Sequence, residues 1–479
     1  MKRLATFILA AVTLSAAYCA GTPYDIGKDI ATEDFWKSDP NLFVELHRAQ
    51  GFRVTSEVRA GAVKRPEGAD TRLDGAVAYN GMPVYETKVY FGTAGGIERV
   101  ELMLYAAAGT ETLETVRTEG GTMGRYVRKE TTITRGEYMD LFKRACTVLT
   151  PAGGTPPQIA EKLGVTQGSH TWPKTAIPTV ATLTWNYTQK ERKANAFKAG
   201  FLRLAVDGPA RLASGGRKTA GGASETKGSK KTIAGNVVRE PNGDVFIDNV
   251  PMVDQGQKGY CAAATSERVL RYYGMEVDEH EIAQAAGTTA EGGTSTLEMK
   301  NSVQKIGRHC KLGTVVTYGD FEKPEAERCA SIAKEVANYN KAAKKLKKKE
   351  IGPDVYISKR GGVTYYNAIA ADAAMEPEVL REMKVNGSQK SRFTKFMNDI
   401  RQQVDKGIPL FWGVTLGTYQ ESDIPQSKGG HMRLIIGYND KTKEVLYSDS
   451  WGKGHELKRM PADWAWTISH CLMYMKPLR

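Results

Sequence analysis

The fold of the second half of this 479-residue chain is decided by the stretch Asp254-Gln255-Gly256-Gln257-Lys258-Gly259-Tyr260-Cys261. It stands directly before residues 262–273, which have helical periodicity and end at Gly274, a residue suited to a helix C-terminus. Cys261 is therefore predicted in the first turn of a helix, where the positive end of the helix dipole favours a thiolate. Taken alone, a cysteine at such a place is more often a small buried residue.

Two later stretches supply the other groups that cysteine catalysis needs, namely a base and a group that orients it. The first is Gly430-His431-Met432-Arg433-Leu434-Ile435-Ile436-Gly437-Tyr438, which places a histidine before an apolar strand. The second is Tyr447-Ser448-Asp449-Ser450-Trp451-Gly452. A single histidine at a strand start is more often structural, and a single aspartate is more often a turn residue, so the three stretches carry weight only together.

Together the stretches resemble the active-site segments of papain-like cysteine peptidases. In that family Gln-Gly begins six residues before the nucleophile, the catalytic histidine precedes an apolar strand ending in Gly-Tyr, and Asn-Ser-Trp-Gly follows. Here Asp449 replaces the asparagine. This departs from papain itself but resembles the double-glycine leader peptidases, which use Cys, His and Asp in this order.

The resemblance implies a role for each matching residue. Cys261 is the nucleophile, and His431 is its base. Asp449 accepts a hydrogen bond from the imidazole and orients the ring, and Trp451 shields that bond from water. The side chain of Gln255, with the backbone N–H of Cys261, forms the oxyanion hole.

Other positions depart from the family pattern. Gln257 is a fallback oxyanion donor that we expect to face solvent. Ala262 stands where papains have an aromatic residue, and Arg433 interrupts the strand that follows His431. Residues 323–383 fit no pattern of the family, so the resemblance carries over no substrate preference.

The predicted fold class is α+β throughout. Residues 245–479 are expected to form a papain-like domain with a helical half and an antiparallel sheet half. Residues 34–207 alternate as strands do and predict a separate, sheet-rich α+β domain of unknown role. Within it we expect helices near residues 137–148 and 157–163, the latter because Pro157 suits a first helical turn.

Residues 208–242 are rich in Gly, Ser and Lys and predict a flexible linker. We expect it to act as a tether. Self-cleavage at Gly215-Gly216 or Gly221-Gly222, after which the halves could separate, is the alternative.

Residues 1–20 predict a signal peptide, because two basic residues precede an apolar run and small residues follow. The mature protein is therefore expected to be secreted or periplasmic. Lipid anchoring at Cys19 is less expected, because Tyr18 stands where a small residue would precede such a cysteine.

Charge and cysteine spacing indicate which binding partners and cofactors to expect. The net charge of +13 is partly concentrated in residues 217–231 and 341–349, which predicts weak attraction to acidic polymers or surfaces. No nucleic-acid motif accompanies these residues, so no nucleic acid is expected. The six cysteines lack metal-ligand spacing, so no metal or cofactor is expected. A disulfide between Cys310 and Cys329 stays open.

These observations predict an exported cysteine peptidase that hydrolyses peptide or protein substrates. Two alternatives stay open. The first is an amidase or transglutaminase-like activity on the same triad, although transglutaminases usually hold their Cys and His much closer in sequence. The second is a binding protein built on an inactive peptidase fold, which the unexplained N-terminal half supports.

Overall fold

The computed structural model describes residues 22–60, 63–92, 95–107, 110–118, 121–129, 133–149, 157–162, 165–174, 177–188, 198–214, 233–255, 260–275, 277–286, 296–319, 325–360, 363–421 and 429–477. These residues form two compact units. The first unit comprises the described parts of 1–227, 249–294 and 450–454, and the second comprises those of 228–248, 295–449 and 455–479. The predicted signal peptide and most of the predicted linker lie outside the described residues.

The first unit is rich in strands. Its described strands are β1 (Tyr24–Asp25), β2 (Arg53–Ala60), β3 (Val63–Thr71), β4 (Val77–Tyr79), β5 (Met82–Val84), β6 (Glu86–Phe91), β7 (Ile97–Ala106), β8 (Thr110–Thr118), β9 (Gly121–Lys129), β10 (Gln158–Lys162), β11 (Val165–Lys174), β12 (Thr179–Thr188) and β13 (Lys198–Asp207). Its described helices are α1 (Ile26–Ile30), α2 (Glu33–Trp36), α3 (Pro40–Leu46), α4 (Arg135–Leu149), α5 (Pro209–Ala213), α6 (Cys261–Tyr272) and α7 (Glu279–Ala286). A 3₁₀ turn spans Arg48–Gln50.

An eight-stranded antiparallel sheet organises this unit, in the order β10-β11-β12-β13-β7-β6-β3-β2. One face is apolar, as Leu102 and Leu204 are fully buried and lie opposite each other in neighbouring strands. Helix α4 packs on that face through Tyr138, whose hydroxyl donates to the Phe201 carbonyl at 2.9 Å. Because side chains alternate along a strand, the intervening residues, such as Lys88 and Arg203, point to the other face.

The second unit combines a sheet with several helices. Its described strands are β14 (Val237–Arg239), β15 (Asp244–Ile247), β16 (Leu312–Gly319), β17 (Ile357–Arg360), β18 (Val363–Tyr366), β19 (Leu410–Leu416), β20 (Gly429–Asn439), β21 (Glu444–Ser448), β22 (Lys458–Pro461) and β23 (Ser469–Pro477). Its described helices are α8 (Thr296–His309), α9 (Glu325–Leu346), α10 (Pro353–Tyr356), α11 (Ala368–Ala374), α12 (Pro377–Val385), α13 (Lys390–Val404) and α14 (Ala462–Ile468), and a 3₁₀ turn spans Ala234–Asn236.

The sheet of this unit is antiparallel, in the order β14-β15-β20-β19-β23-β16, and β21 joins β20 to β22. Leu410, Phe411 and Leu434 are fully buried at the β19–β20 pairing, where Phe411 lies opposite Leu434. Helix α13 packs against this sheet, and its Phe396 meets Trp466 of α14. Strand β20 therefore runs through the packed interior, and residues on it have fixed positions.

Several predicted elements can be compared with the observed ones. The helix expected at residues 262–273 is observed as Cys261–Tyr272, and the one near 137–148 as Arg135–Leu149. The helix expected at 157–163 is wrong, because Gln158–Lys162 forms strand β10 and pairs with β11. Here sheet pairing overrides the local signal of Pro157.

The ends of the predicted linker are also structured. Pro209–Ala213 forms helix α5, and Val237–Arg239 pairs with β15. Composition alone missed these short elements, since their order depends on neighbours elsewhere in the chain. No helix in the described ranges is long and apolar enough to cross a membrane.

Candidate active site

Cys261 is the first residue of helix α6, and Tyr260 occupies the N-cap position. Cys261 is half-buried, whereas residues 262–270 behind it are all buried. Arg268 fixes the helix to the preceding segment, because its Nε donates to the Pro251 carbonyl at 2.8 Å. The first backbone N–H groups of a helix have no partner within the helix, so this position favours an anion at the Cys261 sulfur.

Gln255 is held in a buried position six residues before Cys261. It is 2 % exposed, and its backbone N–H donates to the Ser450 carbonyl at 2.9 Å. The side-chain Oε1 is buried and has no hydrogen-bond donor among the described residues. The four residues between Gln255 and Tyr260, including the fallback donor Gln257, lie outside the described residues.

Ser450 connects the third sequence motif to the nucleophile segment. Besides accepting from Gln255, it places its Oγ 3.4 Å from Thr265 Oγ1 and 3.4 Å from Arg268 Nη1. Gly452 follows with a φ of 78°, and a Cβ there would meet Asp254 Oδ2 at 2.7 Å. Glycine is therefore required for both its backbone conformation and its close approach to Asp254.

His431 and Asp449 form a buried hydrogen bond in the second unit. Nε2 of His431 lies 2.6 Å from Oδ1 of Asp449, and the two residues are 6 % and 0 % exposed. His431 lies opposite Val414 in the β19–β20 pairing. Asp449 directly follows β21, and its backbone N–H donates to the His455 carbonyl at 2.9 Å. Sheet register thus fixes both partners.

Arg433 contacts the other oxygen of the same carboxylate. It is fully buried, its Nε lies 2.7 Å from Asp449 Oδ2, and its Nη2 donates to Glu421 Oε2 at 2.9 Å. Burial opposes the charge, but the carboxylates of Asp449 and Glu421 outweigh it and raise the pKa of Arg433. The guanidinium also lies 4.9 Å from the ring centre of Tyr447, whose hydroxyl donates to Glu421.

The sequence prediction treated Arg433 as an interruption of an apolar strand. In the structure it lies in the middle of a buried chain of ionisable side chains, here called the charge chain, that runs Glu421, Arg433, Asp449, His431. A signal was available, because a buried charge needs a partner of opposite sign and Asp449 replaces the family's neutral asparagine.

The predicted site residues divide between the units. Gln255 and Cys261 lie in the first, with Ser450 and half-buried Trp451. His431 and Asp449 lie in the second. Their catalytic roles stay predictions. The Cys310–Cys329 disulfide also stays open, because the side chain of Cys329 lies outside the described ones.

One group of side chains in the first unit has the composition of a metal site. Ligand atoms of Glu86, Glu279 and His280 all lie within 4.8 Å of one another. However, Arg72 already contacts Glu86 through Nε at 2.6 Å and Glu279 through Nη2 at 2.5 Å, and Lys88 Nζ lies within 3.7 Å of both carboxylates. Since two cations already neutralise these carboxylates, the group fits an ion-pair network better than a metal centre.

Comparisons with known proteins concern the C-terminal part of the chain. Residues 326–472 match the Peptidase_C39 like family, and this segment contains His431, Arg433 and Asp449. The match, the helices and the antiparallel sheet confirm the predicted resemblance and the α+β, papain-like fold class, so this part of the chain has a cysteine peptidase-like fold. No curated protein matches the chain.

Two solved structures are similar to parts of the chain. One is the peptidase domain of Streptococcus ComA, a bi-functional ABC transporter involved in a quorum-sensing pathway, at 10% identity and a TM-score of 0.23, covering 48% of this chain and 98% of that domain. The other is xylellain, a cysteine protease from Xylella fastidiosa, at 14% identity and a TM-score of 0.22, covering 52% and 90%.

Proposed function

We propose that this chain is a cysteine peptidase that uses Cys261, His431 and Asp449 as a catalytic triad. The observation that carries the proposal is the buried 2.6 Å contact between His431 Nε2 and Asp449 Oδ1. A histidine oriented by a carboxylate through one nitrogen acts as a base through the other, which for His431 is Nδ1. The start of helix α6 adds the environment that stabilises a thiolate.

In the proposed mechanism the Cys261 thiolate attacks the carbonyl carbon of a peptide bond. The oxyanion accepts hydrogen bonds from the Cys261 backbone N–H and the Gln255 side-chain amide. The imidazolium of His431 then donates its proton to the leaving amine, and the C–N bond breaks to leave a thioester. His431 next takes a proton from water, whose oxygen attacks the thioester and releases a carboxylic acid and the thiolate.

The charge chain supports an aspartate rather than an asparagine as the orienting group. Asp449 presents one oxygen to His431 and pairs the other with the Arg433 guanidinium at 2.7 Å, and a guanidinium carries only N–H donors and no acceptor. An asparagine would have to turn its NH₂ group toward one of these donors. The two departures from papain, Asp449 and Arg433, are therefore one matched pair.

We also propose that the protein acts outside the cytoplasm, on peptides or proteins. Support comes from the basic and apolar character of residues 1–20. The Lys-rich stretch at 217–231 would add weak attraction to acidic polymers. Part of the second Lys-rich run is paired, since Lys345 and Lys348 contact Glu382 and Glu376.

The test is labelling by an electrophilic peptide probe together with hydrolysis of a quenched-fluorescence peptide library. The wild type should be labelled at a single site and should release cleaved peptides. Cys261→Ala should lose both signals, whereas Cys310→Ala, a matched control at another half-buried cysteine, should keep both. Labelling that persists in Cys261→Ala would refute the proposal. Labelling without hydrolysis would favour acyl transfer or a binding role.

A further inference from the structure

The charged face of the eight-stranded sheet is buried against helix α7, which follows the nucleophile helix. Lys88 Nζ of β6 donates to Asp278 Oδ2 at 3.0 Å, and Arg203 Nη2 of β13 donates to Glu281 Oε1 at 2.8 Å. Asp278 and Glu281 are 3 % and 1 % exposed. The sheet thus supplies the cations and the segment after Cys261 supplies the anions, all within the first unit.

The charges in this network stabilise one another. Burial alone would raise the pKa of Asp278, but Lys88, His280 and Arg203 outweigh it and hold that pKa well below its usual range. Burial would likewise lower the pKa of Lys88, but Asp278 and three glutamates, Glu86, Glu279 and Glu267, raise it well above its usual value. Removing one member would leave a buried charge without its partner, so the network specifies a single arrangement of sheet and helix.

Arg72, which directly follows β3, extends this network to the proposed oxyanion hole. Its Nη2 donates at 2.8 Å to the carbonyl of Asp254, the carbonyl of the peptide bond that leads into Gln255. The same guanidinium contacts Glu86 of the sheet and Glu279 of α7. Arg72 is 4 % exposed and is separated from Asp254 by 182 positions in sequence.

We propose that the N-terminal sheet is a platform for the nucleophile segment, and that Arg72 is a positioning residue that fixes the Asp254–Gln255 peptide. This inference rests on the proposed function of Gln255 as an oxyanion donor. It assigns to residues 34–207 a role that their own sequence does not disclose. In this role the N-terminal sheet is part of the catalytic unit, and cleavage of the linker leaves the two parts bound to each other.

The first experiment cuts the linker of the full chain. A site for a sequence-specific protease is inserted between residues 215 and 231, and the cut protein is compared with the uncut protein by size-exclusion chromatography and peptide hydrolysis. The two fragments should elute together with activity within about twofold of the uncut protein. Separation with loss of activity that returns on mixing would also support the platform. Separation with full activity in the C-terminal fragment would overturn it.

The second experiment separates positioning from general stabilisation. Arg72→Met should lower kcat at least tenfold with KM little changed, because a misplaced oxyanion donor is felt in the transition state. Arg203→Met removes a cation of the same network that does not touch Asp254, so it should lower the melting temperature and leave kcat unchanged. Arg72→Lys should fall between Arg72→Met and the wild type.

Equal kcat in Arg72→Met and Arg203→Met would refute the role of Arg72. If Arg72→Met does not fold, the linker experiment still decides whether the platform exists. Elution of the fragments needs no activity, so an uncut protein that hydrolyses nothing would refute the proposed peptidase and leave the association measurable. An active protein with freely separating, fully active fragments would refute the platform alone.

Discussion

The two groups of predicted catalytic residues, here called the base side and the nucleophile side, are held in opposite ways. On the base side, His431, Arg433 and Asp449 lie within nineteen positions of one another, on or next to two paired strands. On the nucleophile side, the peptide before Gln255 is held by Arg72 and its backbone N–H by Ser450, from opposite directions along the chain. The base side is specified by local register, and the nucleophile side by long-range contacts.

This difference predicts which substitutions and which changes of pH affect each side. Strand register fixes the base side, so changes there act mainly through the charge chain between Glu421 and His431. Buried ion pairs fix the nucleophile side, so changes of pH and changes in the distant sheet should reach it. Four changes, with progressively weaker expected consequences, test this contrast.

Removing the orienting carboxylate should have the largest effect. Asp449→Ala should lower kcat by about 10⁴-fold, because the imidazole loses its orientation and its counter-charge. Asp449→Asn should lower kcat by less. Its NH₂ group would nevertheless face a hydrogen-bond donor, either His431 or Arg433, so kcat should stay below that of the wild type. The double variant Asp449→Asn/Arg433→Gln should recover at least about tenfold over Asp449→Asn, since the glutamine oxygen can accept from that NH₂. Steady-state kinetics would detect this, and absence of recovery would contradict the matched pair.

Removing the central cation of the base side should destabilise the fold. Arg433→Met leaves Asp449 and Glu421 buried without their counter-charge and should lower the free energy of unfolding by about 3–5 kcal/mol, measured in urea. Adding Glu421→Gln to Arg433→Met should restore part of the free energy of unfolding, because one of the two buried carboxylates is then neutral. A loss below about 1 kcal/mol would mean that the buried chain does not hold this side together.

Gln255→Ala should lower kcat by about a hundredfold with KM little changed, because an oxyanion donor acts mainly in the transition state. Gln257→Ala is the matched control and should keep its kcat. The reverse ranking would show that the oxyanion donor has been assigned to the wrong glutamine.

The smallest effect is a pH dependence on the nucleophile side. Burial raises the pKa of Glu267 in helix α6 to about 8, and Lys88 and Arg271 oppose this only in part. The folded state therefore prefers neutral Glu267, and its contribution is fully present below the unfolded-state pKa and is lost as pH rises toward 8. Between pH 5 and pH 7 the contribution of Glu267 to the free energy of unfolding should fall by about 2 kcal/mol.

Glu267→Gln should reduce the loss of stability between pH 5 and pH 7, because the amide stays neutral. At acidic pH the stability curve of this variant should match that of the wild type. The pKa values of Glu86 and Asp278 are lowered, so their contributions to stability disappear only as pH falls below the usual carboxyl range. Thermal unfolding across pH 3–9 provides the measurement. Parallel curves for wild type and variant above pH 5 would contradict the shifted Glu267.

The contrast also explains how far the sequence could lead. Helix α6 was predictable from its helical periodicity before Gly274, and the strand after His431 from an apolar run that only Arg433 interrupts before Gly437. Strand β10 was not, because its pairing with β11 outweighs the local proline. The contact of Arg72 with Asp254 could not be predicted from the sequence, since no local pattern relates residues 182 positions apart.

Asp449 and Ser450 are consecutive residues, yet the side chain of Asp449 contacts His431 while the carbonyl of Ser450 accepts the backbone N–H of Gln255. A single inserted or deleted residue in the Asp-Ser-Trp-Gly turn would therefore shift both sides out of register together. Loops elsewhere can change length at little cost, as loop closure depends only weakly on length. This turn should accordingly vary in composition among functional variants long before it varies in length.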